Sequence, residues 1–264
     1  MKLRFTSCQA PNADGNANRI ADYLSHRLGI NFEYVNNRDW QAREAALFSG
    51  EIQVGWICGL PYVLEARKQE PSIQLLAAPV MEGERYEQRP IYFSDVVVRA
   101  DSWFHKFADL RGKTWVYNES HSHSGYSLTR YMLAKKGLNG DFFGTRIEAG
   151  SHERAMRLLL RGKIDATALD STVLETELPK DSDLADRIRV IDIWGPSPIP
   201  PWVIHQSLNK QLASDLRNEM IQMSFNDEGR AILTFGRISR FVEVADKDYD
   251  RIREMYKEGN HIEL

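Results

Sequence analysis

Residues 118–126 read Asn-Glu-Ser-His-Ser-His-Ser-Gly-Tyr, a run of hydroxyls and imidazoles closed by a glycine and an aromatic. A strand-like stretch, Lys113 to Tyr117, precedes the run and a helix-like one, Ser127 to Lys136, follows it. The first turn of a helix leaves backbone N–H groups without intrahelical partners, and the aligned peptide dipoles place partial positive charge there. Ser122 and Ser124 can add hydroxyl donors, Gly125 lets the backbone come close to an oxyanion, and His121 and His123 can add a donor or, protonated, a charge. The chemistry these types offer is anion binding. The same residues also describe a Ser-capped helix after a polar loop, and spacing alone leaves both readings open, since the run is neither a Walker loop nor a dinucleotide fingerprint.

The elements that must position this run alternate from the start of the chain. Apolar patterning predicts strands at Leu3 to Ser7, Asn31 to Val35 and Ile52 to Ile57, and helices at Ala17 to Leu28, Trp40 to Ser49 and Pro61 to Gln69. Gly29 and Gly50 stand where helix C-caps belong. Strands at Leu75 to Val80 and Ile91 to Arg99 lead into a second alternation. This runs through a helix start at Phe104 to Leu110, a strand at Thr114 to Tyr117, helices at Ser127 to Lys136 and His152 to Arg161, and strands at Asp165 to Asp170 and Ile188 to Trp194. Four prolines at 196, 198, 200 and 201 forbid a helix there. Amphipathic helices follow at Asn209 to Ser224 and Asp248 to Lys257. Strands separated by helices and short polar turns argue for α/β sheets covered on both faces.

Composition bounds the function. With 264 residues, 42% hydrophobic and 27% charged, the chain can bury a substantial core in one large domain or two moderate ones. A formal net charge of -3 with both signs interspersed gives no footprint for nucleic acid or an anionic membrane, so an anion site must be local. No apolar run approaches the roughly 20 residues needed to span a bilayer, and no signal peptide or anchor is visible at Met1. The expectation is a protein that is not membrane-inserted, cytoplasmic if Met1 is the native start and periplasmic if a leader was removed. Cys8 and Cys58, fifty residues apart, exclude a dense disulfide framework and give no CxxC signature. If the strands they follow are adjacent and parallel, both thiols sit at the carboxyl ends, where α/β sheets place ligands.

An ordered set of segments resembles the solute-binding proteins of the phosphate, phosphite and phosphonate ABC importers. Val54-Gly55-Trp56 with Leu60-Pro61-Tyr62 looks like that family's strand and helix entry, and Tyr92-Phe93-Ser94 before Val96-Val97-Val98 like its first hinge crossing. Asp109-Leu110-Arg111-Gly112-Lys113 is similar to the turn before its anion loop, and Ser122-His123-Ser124-Gly125-Tyr126 to its Ser-Thr-Ser-Gly-aromatic loop, with His123 in place of threonine. Gly150-Ser151-His152-Glu153, Gly162-Lys163-Ile164-Asp165-Ala166 and Ser197-Pro198-Ile199-Pro200 resemble three further segments.

The resemblance implies a two-lobed, type II periplasmic-binding-protein-like α/β fold. Each lobe would be a mainly parallel sheet flanked by helices, with the ligand cleft between them. Residues 1–93 plus 204–264 would form lobe 1 and 94–203 lobe 2, with hinge crossings near 92–98 and 196–204. It implies that Ser122, Ser124 and the N–H groups near Gly125 hold a phosphorus oxyanion, with His123 in the loop and Tyr92 and His152 closing around it. Trp40, after Arg38 and Asp39, falls where the family carries a ligand-facing aromatic; a helix staple is the other reading. Asp170 would accept from a protonated oxyanion or fix His152, and a helix cap is its alternative. Thr172 and Pro200-Pro201-Trp202 stand where acidic partners of an ammonium group are expected, which argues against aminoethylphosphonate.

The function implied is a monomeric, cofactor-free, non-enzymatic binder of a small phosphorus oxyanion for ABC-type uptake, with an ABC permease as its partner and no nucleic acid. A cytoplasmic ligand sensor of the same fold is the alternative. Two further readings stand behind it: a metal site from His121, His123, His152 and Asp170, and a hydrolase in which Ser122 or Ser124, His152 and Asp170 act as nucleophile, base and orienting carboxylate. No Gly-x-Ser-x-Gly elbow accompanies the serines.

Overall fold

In a computed structural model of the protein, which describes residues 2–181 and 183–264, the chain forms two compact units. Unit 1 is Met1–Ile91 with Pro198–Asp250, and unit 2 is Tyr92–Ser197 with Arg251–Leu264. In chain order the first stretch of unit 1 holds β1 (Lys2–Ser7), α1 (Pro11–Leu28), β2 (Asn31–Tyr34), α2 (Trp40–Phe48), β3 (Val54–Trp56), α3 (Gly59–Ala66) and β4 (Ile73–Met81). There follow β5 (Ile91–Arg99), β6 (Thr114–Tyr117), α4 (Leu128–Lys135), β7 (Thr145–Glu148), α5 (His152–Leu160), β8 (Ala166–Asp170), α6 (Ser171–Glu177), α7 (Leu184–Arg187) and β9 (Ile188–Pro198). The chain then returns through β10 (Trp202–His205), α8 (Lys210–Gln222), α9 (Asp227–Phe235), β11 (Ile238–Val242) and α10 (Asp250–Gly259).

Unit 1 is a six-stranded sheet in the order β11-β4-β10-β3-β1-β2. β1 pairs in parallel with β2 and β3, so the start of the sheet is built from βαβ crossovers, connections that are right-handed as a rule. The remaining pairings, β10 with β3 and β4 and β11 with β4, are antiparallel. The sheet is therefore mixed rather than mainly parallel, because the chain leaving the proline run inserts β10 between two strands already laid down. Local signals set the helix ends: Pro11 is the first residue of α1, and Gly29 closes it at φ 62 with its N–H on the carbonyls of Ser25 and His26. Cys8 and Cys58 follow the adjacent, parallel β1 and β3, and neither is in a disulfide.

Unit 2 carries a five-stranded sheet in the order β7-β6-β8-β5-β9, again mixed, with β6 parallel to β7 and β8 but β5 antiparallel to β8. Its central strands are apolar on both faces. Val96, Val98, Trp115, Ala166 and Ala168 join one core with Phe107, Phe142, Phe143 and Trp194, while Val97, Val116 and Leu169 join another with Ala155, Leu159 and Leu174. The unbroken Val96-Val97-Val98 run is the sequence trace of this double burial. The helix expected at Phe104 to Leu110 is a single 3₁₀ turn, Phe107–Leu110, closed by Asp109, whose carboxylate accepts from the N–H groups of His105 and Lys106.

The last helix does not return to the first unit, as the sequence reading of 204–264 had it; Arg251–Leu264 belong to unit 2. Met255 and Ile262 are buried in the Trp115 core, and a Cβ on Gly259 would stand 2.6 Å from the Tyr131 amide nitrogen of α4. The Arg130 guanidinium, from the same helix, donates to the carbonyls of Ile262 and Asn260. No helix among the described residues is long and apolar enough to cross a membrane.

Truncating a thioether that fills this core leaves a void, so Met255→Ala is expected to cost about 2–5 kcal/mol of unfolding free energy. A denaturant midpoint equal to that of the unaltered protein would place α10 outside the folded core.

Candidate functional site

The Ser-His run begins where β6 ends and enters α4 through one wide turn, His123–Ser127, in which the Ser127 N–H bonds to the Ser122 carbonyl at 3.0 Å. Such an i→i−5 turn inserts an extra residue and turns side chains out of helical register. Ser122 caps it, its Oγ accepting from the Gly125 N–H at 3.2 Å. Thr129 steadies the next turn by donating its hydroxyl proton to the Gly125 carbonyl at 2.8 Å.

Gly125 is required by packing. A Cβ there would lie 2.0 Å from Asn118 Oδ1 and 3.3 Å from the Asn118 backbone nitrogen, so the Asn118 side chain fills the space a larger residue would need. The Asn118 carbonyl in turn accepts from the Gly150 N–H at 2.6 Å, two residues before the start of α5. One asparagine thus ties the serine turn to the segment that delivers His152.

His152 is the first residue of α5, with Ser151 as the cap accepting from the Arg154 N–H. Its Nε2 lies 3.1 Å from Ser124 Oγ, and Ser124 Oγ is 3.4 Å from Ser122 Oγ. Ser122, Ser124 and His152 are all buried. Ser94 supports them from β5 by donating to the Ser124 carbonyl at 2.8 Å. The structure therefore gathers two hydroxyls, an imidazole and a glycine turn at the start of α4, with no lysine or arginine bonded to any of the three side chains among the described residues. Burial pushes His152 down to about 4, so at neutral pH it is an uncharged donor or acceptor.

The other residues singled out in the sequence make contacts of their own. His123 turns away from the serines: its ring is fully buried, Nε2 sits 3.0 Å from Ser197 Oγ, and burial holds it down at about 3. Tyr92, at the start of β5, packs its ring 6.4 Å from that imidazole at 52°. Asp170 is a helix cap, with Oδ1 accepting from both the N–H and the hydroxyl of Thr172 at 2.8 and 2.7 Å. Burial raises it to about 6, against the lowering effect of those bonds and with a further push from Asp95. Trp40 is the first residue of α2 in unit 1, half-buried behind its cap Asp39. His121 is exposed, and no group of three or more His, Cys, Asp or Glu among the described residues could hold a metal ion. Ser124 and His152 stand at the distance of a nucleophile and base, but Asp170 is committed to Thr172, and His152 Nδ1 has no partner among the described residues. The triad's orienting member is not in place.

Ser94, Asn118 and Ser197 escaped the sequence reading as site residues. Ser94 alone left a trace, a hydroxyl within the apolar strand Ile91–Arg99. The packing of Asn118 against Gly125 depends on how one short run folds back on itself, and the Ser197–His123 bond joins residues 74 apart in sequence; neither leaves a trace.

Comparison with known proteins places this geometry in context. Residues 10–249 match the family described as ABC transporter, phosphonate, periplasmic substrate-binding protein. The probable ABC transporter phosphite binding protein PhnD1 of Prochlorococcus marinus (strain MIT 9301) is 21% identical over 256 residues, which is 94% of this chain and 86% of that protein. The structure of PhnD1 from Prochlorococcus marinus in complex with methylphosphonate superposes with a TM-score of 0.86 at 20% identity, covering 99% of each chain. A binding protein component of an ABC phosphonate transporter from Pseudomonas aeruginosa gives a TM-score of 0.84 at 17% identity, covering 96% of this chain and 85% of that one. At these identities the superpositions establish the two-sheet α/β fold of periplasmic binding proteins.

The buried imidazoles make stability depend on pH. His123 and His152 titrate near 3 and 4 in the folded chain against 6.5 when unfolded, so between those values the unfolded state binds more protons and stability falls with falling pH. Asp170, near 6 folded against 3.8 unfolded, works the other way in its own window. The two histidines outweigh it, and the unfolding free energy is expected to drop by a few kcal/mol from pH 7 to pH 4, since each tenfold change in proton affinity is worth about 1.4 kcal/mol. Urea midpoints across that range check this, and His123→Gln should flatten the slope; an unchanged slope would mean His123 is not buried neutral.

Proposed function

We propose that this chain, which belongs to the family of periplasmic substrate-binding proteins of phosphonate ABC transporters, captures a small phosphorus oxyanion at the start of α4. Phosphate, phosphite and a simple phosphonate are the ligands of that class. The observation that carries the reading is the buried cluster of Ser122 Oγ, Ser124 Oγ and His152 Nε2, joined at 3.4 and 3.1 Å around a glycine turn. Hydroxyls and ring N–H groups are donors, the opening N–H groups of the turn add to them, and the helix dipole favours negative charge at the same end. The methylphosphonate complex of the Prochlorococcus relative supports the same ligand class.

Neutral donors suit a protein that must release what it binds. A buried cation would hold the anion by full charge pairing, whereas hydrogen bonds to a charged ligand contribute about 1.5–3 kcal/mol each and let affinity be set by their number. His152 adds a charge that appears on demand: uncharged when the site is empty, it gains affinity for a proton when a dianion arrives beside Nε2. Release would be to an ABC permease, with the protein working in the periplasm.

Thr172 and Pro200-Pro201 offer no carboxylate to an ammonium group. The Thr172 hydroxyl donates to Asp170, and the carbonyls of Pro200 and Pro201 accept from Trp56 Nε1 and the Ile57 N–H. The ligand is therefore a simple one, and aminoethylphosphonate is expected to bind at least tenfold more weakly than methylphosphonate in competition calorimetry. Equal affinity would show that an acidic partner exists elsewhere.

Calorimetric titration with phosphate, phosphite, methylphosphonate and sulfate tests the reading directly. Heat is expected from at least one phosphorus oxyanion, and Ser124→Ala should weaken it by about 10- to 100-fold, one charge-assisted hydrogen bond. Heat from sulfate alone, from no anion, or undiminished in the variant overturns it.

A further inference from the structure

The loop residue that does not face the serines has a place of its own. Unit 2 begins at Tyr92, ends its main stretch at Ser197 and resumes at Arg251, so the polypeptide crosses its boundary at three points. His123 meets two of these crossings directly and the segment after the third through a serine. Its ring lies 6.4 Å from that of Tyr92, the first residue after one crossing. Its Nε2 is 3.0 Å from the hydroxyl of Ser197, the last residue before the next. That hydroxyl donates onward to the thioether of Met255 at 3.8 Å, in the first turns after the third. If Ser197 gives its proton to Met255, the ring must give its own, which fixes His123 as the neutral tautomer carrying hydrogen on Nε2.

The backbone of the same residue opens the turn that carries the serines. His123 lies between Ser122, which caps Gly125, and Ser124, which touches His152. A shift of its ring moves the peptide units on both sides, because an imidazole fully buried among close-packed neighbours has no free volume in which to absorb it. We propose that His123 is a positioning residue: through Ser197 it fixes the serine turn to the segments by which the chain enters and leaves unit 2, so that occupancy of the turn and the set of those crossings are coupled. The binding arm of this proposal rests on the oxyanion reading; its structural arm does not.

The partner at the far end provides the cleanest test, because Ser197→Ala leaves every loop residue in place. Hydrogen–deuterium exchange of the ligand-free protein is expected to quicken at residues 123–127, whose amides at Gly125 and Ser127 both bond to Ser122. Ser197→Thr, which keeps the hydroxyl, should exchange as the unaltered protein does. With inorganic phosphate, phosphite and methylphosphonate as probes, Ser197→Ala should weaken the dissociation constant about fivefold, the loss of one neutral hydrogen bond. His123→Gln, with an amide to replace the ring N–H, should stay within about twofold, and His123→Phe combined with Ser197→Ala should be no worse than His123→Phe alone. A purely packing role for His123 predicts additive losses and no rescue by glutamine. Exchange at 123–127 that keeps its original rate in Ser197→Ala overturns the coupling whatever the ligand. Quickened exchange in a protein that binds none of the anions retires the oxyanion reading and leaves the coupling standing.

Discussion

An anion leaves water only for a place where enough dipoles already point at it, and the site proposed in unit 2 offers dipoles that are both buried and uncharged. Three polar side chains, Ser122, Ser124 and His152, share one small volume and bond to each other or to the Gly125 N–H. Those internal bonds let the group remain folded while empty. They are also exchangeable: each can be replaced by a bond to an entering oxygen without leaving a buried group unpaired. Much else in the unit follows from having to hold three short side chains at that spacing.

Two kinds of support meet the requirement. From the side, Asn118 fills the space beside Gly125 while its carbonyl holds the Gly150 N–H, so the serine turn and the start of α5 share one anchor. From below, β6 and β8 are covered on both faces, with Trp115 stacked on Phe143 at 4.6 Å, and the ring of Phe107 stacked on Phe142 at 5.0 Å. Helix α4, which carries the turn, is itself held from behind where Gly259 lets α10 approach Tyr131 and Arg130 grips the carbonyls of Asn260 and Ile262. The terminal segment thus supports the proposed site through α4 and, at Met255, through Ser197.

The parts of this arrangement visible in the sequence are those written in local pattern. The alternation of β1 to α3, the Ser-His-Ser-Gly turn and the double-faced Val96-Val97-Val98 strand all have periodicities or turn residues that act within a few positions. β7 was not visible because Thr145 to Glu148 is exposed throughout and shows no apolar alternation. β11, Ile-Ser-Arg-Phe-Val, is an edge strand of five residues whose partner β4 lies far back in the chain. The return of α10 to unit 2 rests on the burial of Met255 and Ile262, on the Arg130 bonds and on a close approach at Gly259, none of which local pattern shows, and glycine at the end of a helix reads as a cap. The orientation of His123 was illegible for a related reason: neighbouring positions in a loop say nothing about which face a ring will seek. Its direction is set by a serine seventy-four residues away.

The protons of the cluster limit what the serines can select. His152 Nδ1 is buried without a partner among the described residues, and a buried N–H left without an acceptor is rarer than a lone pair left without a donor. That places the ring hydrogen on Nε2, so Ser124 Oγ accepts from the ring and keeps its own proton to give. Ser122 Oγ, accepting from the Gly125 N–H, is in the same condition. In the empty cluster one of the two hydroxyls also gives its proton to the other at 3.4 Å; once that bond opens each has a proton to offer, and the surface they form is made of donors. Such a surface favours unprotonated oxygens and disfavours any P–OH turned toward it, because two donors would then face one another. For the oxyanion proposed to bind there, this sets the pose: charged oxygens toward the serines and the fourth substituent, whether hydrogen, methyl or hydroxyl, turned away. On the proposed reading the serine turn selects the class of head group, and the choice among phosphate, phosphite and methylphosphonate falls to whatever side chains meet that fourth position.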